Sequence, residues 1–249
     1  MPKACPTMPR SIARSTCFWL ASMRSSGHEG PMARTNAARV SEEIPTIGRA
    51  ELRKRAKADT ILQAARELFL EHGYSGATTD MIQARAAVSK STLYSHFPTK
   101  EVLFEAVCKL GSDAFEAMLA NAVGTETEPR RFLQRFGVEF LAYLFSEEGK
   151  AFFRLMVEAS KSFPQLGPIF YGAGIKASTD MIERYLSGAH AAKLLLVEDP
   201  ALSSEHFMGM LRGDLHLRVI LNIGAPPRSA ELDAYVAATV DRFLKAHTT

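Results

Sequence analysis

The stretch Thr78-Thr-Asp-Met-Ile-Gln-Ala-Arg-Ala-Ala-Val-Ser-Lys-Ser-Thr-Leu-Tyr-Ser-His-Phe-Pro-Thr-Lys-Glu101 decides the fold of this chain. Ile82, Ala86, Val88, Leu93 and Phe97 are spaced to form a small core that locks two short helices together. Thr79 can cap the first helix, and Asp80 suits its positive end. Ala87-Val88 makes a tight connection, Ser89 caps the next helix, and Pro98 stops it after Phe97. Outside that core stand Lys90, Ser91, Thr92, Tyr94, Ser95 and His96. These short hydrogen-bonding, aromatic or cationic groups suit base edges and phosphates in a major groove. Lys100 follows the helix and can meet a nucleic-acid backbone as a point charge. The hydroxyl and amide of Thr79, at a helix N-terminus, can hold another phosphate. Singly, each has a plainer reading: Tyr94 as a packing aromatic, His96 as a solvated or core histidine, Lys90 as an ordinary surface cation. In this order and spacing they point to double-stranded DNA.

Working upstream, Ile61, Leu62, Ala65, Leu68 and Phe69 recur at helical spacing in a helix beginning near Leu52. Gly73 is expected to stop it in a left-handed cap. Three short helices, the last two joined by a tight turn, make a helix-turn-helix outline. Downstream, Thr99 caps a helix running to about Val123. Further helices are expected near 129–145, 150–160, 168–187, 200–222 and 229–246, separated by Gly124, Gly149, Pro164, Gly188, Pro200 and the Gly224-Ala-Pro-Pro227 run. No segment alternates as a strand and no repeat is visible. The expected class is all-α, with about nine helices.

The chain has 249 residues, 47% hydrophobic and 23% charged, with a formal charge of +3. That charge is uneven: +4 over residues 1–49, +3 over 50–100 and −4 over 101–249. A basic front and an acidic rear fit a front half that meets a polyanion, although solvated faces would read alike. Cys5, Cys17 and Cys108 have no CxxC spacing and no paired histidines, so no disulfide framework or metal site is expected. No apolar run is long enough to span a membrane, and the one after Cys17 is too short and too interrupted for an export signal. A cytoplasmic protein is expected. There is no GxSxG elbow, Walker loop or Gly-rich dinucleotide turn, so no catalytic residues and no cofactor are expected. Residues 1–50 lack periodicity and read as a disordered basic extension. Met32-Ala-Arg-Thr35 would serve as a start, making 1–31 over-extended; alternatively 1–31 adds a basic arm.

Val88 to Phe104 resembles the recognition helix and following linker of the TetR/AcrR family of one-component regulators, and Ala64 to Tyr74 resembles that family's first helix. Two residues depart from the pattern. Ala87 stands where the family commonly has glycine, so this turn is expected to be strained or differently shaped. Ser91 replaces a frequent glycine or proline, which bears on the base sequence read. The resemblance implies that Thr79, Tyr94 and Lys100 touch phosphates, and that Lys90, Ser91, Thr92, Ser95 and His96 lie at or near the bases. It implies a DNA-binding domain over 51–114 and a ligand-binding and dimerisation domain over 115–249.

The rear half resembles, more loosely, a subgroup named after AefR, through Phe152 to Ala159, Phe163 to Leu166 and Asp199 to Leu211. This implies a homodimer paired through helices near 200–222 and 229–246. The apolar surplus of Phe207, Met210, Leu211, Leu215, Leu217 and Val219 fits such an interface, or else the core of a monomeric bundle. It also implies a cavity for a small-molecule effector. Candidate lining residues are Phe115, Met118, Phe140 and Tyr143, then Phe153, Met156, Phe170 and Tyr171, each of which plain core packing would also explain. Arg154, Glu158 or His190 could add a polar contact. The function implied is a repressor that binds a near-palindromic operator as a dimer and is released by a small, largely apolar ligand. The alternative is an architectural helical DNA-binding protein with no ligand switch.

Overall fold

The structure, a computed structural model, describes residues 48–247. Residues 1–47 of the extension expected over 1–50, with the suggested start at Met32, lie outside the described residues. Every regular element among the described residues is helical. Helix α1 (Arg49–Gly76) starts three residues before Leu52, so the last residues assigned to the extension are helical. Its front, 48–60, is almost wholly exposed and carries Arg53, Lys54, Arg55 and Lys57. From Ile61 on, the chain forms one compact unit.

Within that unit, α1 buries Ile61, Ala64, Ala65, Leu68 and Phe69, the stripe that helical spacing dictates. Gly73 breaks the helix at φ 72°, ψ 171°, a region open essentially to glycine alone, and one further turn follows it. Helices α2 (Thr79–Ala86) and α3 (Lys90–His96) come next. The cap of α2 is Thr78, whose side chain accepts from the Met81 amide, and not Thr79 as the sequence suggested. Ser89 and Thr99 cap α3 and α4 (Lys100–Val123) as expected. Tyr74 anchors this part of the fold: its ring lies 5.8 Å from Phe69, 4.8 Å from Phe104 and 4.4 Å from Phe163.

Helix α4 takes part in two cores. Leu103 and Phe104 pack at its front, whereas Phe115, Leu119 and Val123 belong to a larger apolar cluster that runs on to Phe243. That cluster is built by α5 (Pro129–Phe145), α8 (Ala177–Ala191), α9 (Pro200–Ile220) and α10 (Ser229–Lys245). Between α5 and α8 lie α6 (Glu147–Ser162) and α7 (Leu166–Phe170), and α7 continues into α8 through a π-helical turn, Tyr171–Lys176.

Three boundaries differ from expectation: α6 begins at Glu147 and carries Gly149 inside its first turn rather than being separated by it. Pro168 sits inside the first turn of α7 rather than opening it, because a helix leaves its first amides unbonded and proline loses nothing there. Gly188 is carried within α8 instead of ending it. Two features had no local signal. One is the π turn, where the Ser178 and Thr179 hydroxyls donate to the Gly174 and Ile175 carbonyls at 2.9 and 3.0 Å. The other is a break inside α9 at Gly213 (φ 43°, ψ −153°).

Candidate DNA interface and ligand cavity

Because Thr78 does the capping, the Thr79 hydroxyl is left to turn toward α3, where it lies 3.2 Å from the Tyr94 hydroxyl. Two helices thus bring two hydroxyls to one point. Lys90, Ser91, Tyr94 and Ser95 are exposed on α3, while Thr92 and His96 are half-buried. The Ser89 hydroxyl holds those of Ser91 and Thr92 at 2.9 and 2.8 Å, and Ser95 donates to the Thr92 carbonyl at 2.8 Å. Lys90 is not a free cation. Its ammonium pairs with Asp80 at 2.9 Å, and that carboxylate raises its pKa. Both side chains are exposed, so the pair is weak enough to exchange for a phosphate. Lys100 is held differently, its ammonium 4.5 Å from the centre of the Tyr74 ring. Burial lowers its pKa, partly offset by Glu101, which in turn accepts a hydrogen bond from Tyr74 at 3.1 Å.

Two details fix the angle between α1, α2 and α3. Arg85 grips Glu71 through two hydrogen bonds of 3.2 and 3.0 Å and reaches Glu67 at 3.3 Å, tying α2 to α1. Ala87 takes the left-handed conformation (φ 52°, ψ 43°), so alanine makes the turn that glycine would make without strain.

A cavity of about 70 Å³ opens among the rear helices. Of the candidates named from sequence, Phe115, Phe140, Tyr143, Phe153 and Phe170 line it. Their rings interlock: Phe115 stacks on Tyr143 at 4.4 Å, and Phe170 meets Phe152 edge-on at 5.7 Å. Three candidates lie elsewhere. Met118 packs against the rear core, and Met156 is buried beside Cys108, whose thiol reaches its sulfur at 3.6 Å. Tyr171 is exposed and lines an adjoining cleft of about 440 Å³ with Lys176, Asp180, Glu183 and Glu205, which shares Ile175 and Arg212 with the cavity.

The polar groups suggested for the cavity are also engaged elsewhere. Arg154 donates to the Ile220 carbonyl at 2.6 Å and to Asn222 at 2.9 Å. His190 accepts from the Val197 amide at 3.1 Å, and the Glu158 carboxylate lies beside Gly73. The cavity draws its strongly polar groups from α9 instead: Arg212 and His216, on either side of the break at Gly213. One sequence signal existed for Arg212: it is a charge set at the edge of the buried stripe Phe207, Met208, Leu211. Burial, then the nearby Arg212 charge, lowers the pKa of His216, and burial lowers that of Arg212.

The exposed side of α9 mixes apolar side chains with Glu205, His206, Asp214 and Arg218. Phe207, Leu211 and Val219, offered as interface residues from sequence, are core, and Leu215 is partly buried against it; Met210 and Leu217 are exposed, joined by Leu202 and by Leu221 just past the helix end. Among the described residues no helix is long and apolar enough to cross a membrane, and no cluster of side chains could hold a metal ion.

Residues 61–107 match the profile of bacterial regulatory proteins of the tetR family, and residues 131–249 that of the C-terminal domain of AefR-like transcriptional repressors. The transcriptional activator FasR of Mycolicibacterium smegmatis is 32% identical over 165 residues, covering 62% of this chain and 72% of that protein. The regulator RutR of Escherichia coli is 31% identical over 127 residues, 51% of this chain and 52% of that protein. A TetR-family transcriptional regulator of Mesorhizobium loti has a similar structure, with a TM-score of 0.74 at 26% identity, covering 79% of this chain and 99% of that one. The flavonoid-responsive regulator FrrA gives a TM-score of 0.69 at 30% identity, covering 78% and 98%.

Proposed function

Since this chain belongs to the TetR family of bacterial DNA-binding transcription regulators, we propose that it is a homodimeric repressor whose hold on its operator is released by a small, largely apolar ligand. The observation that carries this reading is the division of α4. Its front packs with the helix-turn-helix, and its rear, through Ser112 and Phe115, lines the cavity. One rigid helix therefore answers to both sites, which is what a two-state switch requires. Two recognition helices, one from each protomer, would read successive major grooves of a near-palindromic site. Thr79, Tyr94 and Lys100 would hold phosphates, while Lys90, Ser91, Thr92, Ser95 and His96 would read or approach bases. Lys90 then exchanges Asp80 for DNA. The working division is DNA binding over 51–114 and ligand binding with dimerisation over 115–249. Repression follows the AefR-like rear domain; FasR, named an activator, would use the same DNA surface, so a transcription assay reads the sign.

The test is fluorescence anisotropy of the purified protein with the DNA flanking its own gene, at two salt concentrations and with scrambled duplex as competitor. Binding that resists the competitor at physiological salt supports the reading. Binding that the competitor removes from every genomic fragment favours the architectural alternative, and no binding at low salt overturns both.

A further inference from the structure

Aromatic rings make up about half of the cavity lining, yet the lining also contains an arginine with no ion pair, although that arginine borders the adjoining cleft of Asp180, Glu183 and Glu205 as well. Arg212 donates from Nε to the Met208 carbonyl at 3.2 Å, and no carboxylate lies within ion-pair distance of it among the described residues. A partly desolvated guanidinium without a counter-ion is costly and is tolerated where something else supplies the charge. Beside it stands His216, only 8% exposed, whose Nε2 is buried with no hydrogen-bond partner. Such an orphaned buried atom calls for an explanation. Its ring is held on two sides, 5.2 Å from Phe153 edge-on and 6.5 Å from Phe145. The imidazole is thus fixed in place while its Nε2 makes no hydrogen bond. The two residues flank Gly213, whose positive φ breaks the helical ladder between them.

Resting on the reading of this cavity as the effector site, we propose that the effector is an amphipathic monoanion, an aromatic or acyl body ending in a carboxylate. Arg212 and His216 bind the acid group, and Phe115, Phe140, Phe153 and Phe170 enclose the body. The guanidinium fork suits a carboxylate, which can accept two parallel hydrogen bonds from it. The neutral imidazole adds a third bond to the same group or to a bound water. At about 70 Å³ the cavity is smaller than the ~300 Å³ at which ligand sites usually begin. Entry must therefore spread the aromatic wall formed by α4, α5, α6 and α7. That movement reaches α4, so the same event that seats the acid displaces the helix shared with the DNA-binding part.

The experiment is isothermal titration calorimetry of the full chain with hydrocinnamate, octanoate and the primary amide of each. A charge-assisted hydrogen bond predicts that the acids bind at least about tenfold more tightly than their amides. Arg212→Gln should bring the acid down to the affinity of its amide and leave the amide unchanged. Arg212→Lys, which keeps the charge and loses the fork, should fall between. Equal binding of acid and amide, an acid preference that survives Arg212→Gln, or no binding of either acid overturns the proposal. The acid pair identifies the body: preference for hydrocinnamate marks an aromatic effector, for octanoate an acyl one. The same probes are then added to the protein–operator complex. Failure to bind operator without any probe sinks the regulator reading and leaves the calorimetry intact. Acid-selective binding at Arg212 that never weakens operator binding removes the effector role and with it this proposal.

Discussion

Ala87 sits where an L residue loses about 1–2 kcal/mol relative to a right-handed conformation. Ala87→Gly should therefore raise stability by roughly 0.5–1 kcal/mol, read as a shift of the denaturant midpoint, with operator affinity unchanged. An unchanged or lower midpoint would mean that the turn relaxes in solution. The hydroxyl pair of Thr79 and Tyr94 leads to a second expectation. Tyr94→Phe should weaken operator binding by about tenfold or more if that hydroxyl meets a phosphate. Lys100→Ala should lower the salt slope by about one. Unaltered affinity and slope in both variants would remove the phosphate assignment. His216 gives a pH dependence. Its folded pKa lies below the ordinary 6.5, so as pH falls through that value the unfolded chain binds a proton which the folded chain resists. Stability should therefore decline on the acid side, and His216→Gln should flatten that limb of the curve of unfolding free energy against pH.

At the scale of elements, two contacts among the described residues join the two functional regions besides α4: Tyr74 against Phe163, and the polar pair of Arg66 with Glu148, from α1 to the first turn of α6. Their side chains are 14% and 26% exposed, so the pair is sheltered enough to matter where surface pairs would not. Gly149 follows immediately and lines the cavity, and the Glu148 charge contributes, after burial, to raising the Tyr143 pKa. A ligand that moves this turn of α6 moves the partner of α1. Glu148→Gln should accordingly change the factor by which ligand weakens operator binding, by ~0.5–2 kcal/mol, while ligand still binds. Calorimetry and operator release measured on the same variant separate the two effects; a release factor equal to that of the unaltered protein would count against this route.

For the whole molecule, the exposed side chains Leu202, Met210 and Leu217 of α9, with Leu221 just past its end, mark the surface that a second copy would cover, Leu217 and Leu221 being 60% and 66% exposed. Leu217→Glu should give a monomer in sedimentation velocity and lower operator affinity by much more than tenfold, because two half-sites no longer act together. The unaltered protein should unfold at a temperature that rises with its concentration, and the variant should not. A variant that still sediments as a dimer would place the interface elsewhere.

What the sequence determined by itself is what local physics decides. Ser89 and Thr99 cap helices because a hydroxyl satisfies amides only two or three residues away, and Phe97 ends α3 because Pro98 follows it. The core stripe of α1 and the polar face of α3 follow from the 3.6-residue period in the same way. Tertiary structure alone decided which helix faces meet. It set Lys90 on Asp80 and Lys100 on Tyr74, and drew Met156 away from the cavity to Cys108. Arg212 and His216 read along the chain as interruptions in an apolar helix. They line an aromatic cavity because α9 breaks at Gly213 and packs near residues a hundred positions earlier, such as Phe115, and periodicity along one helix carries no record of that meeting.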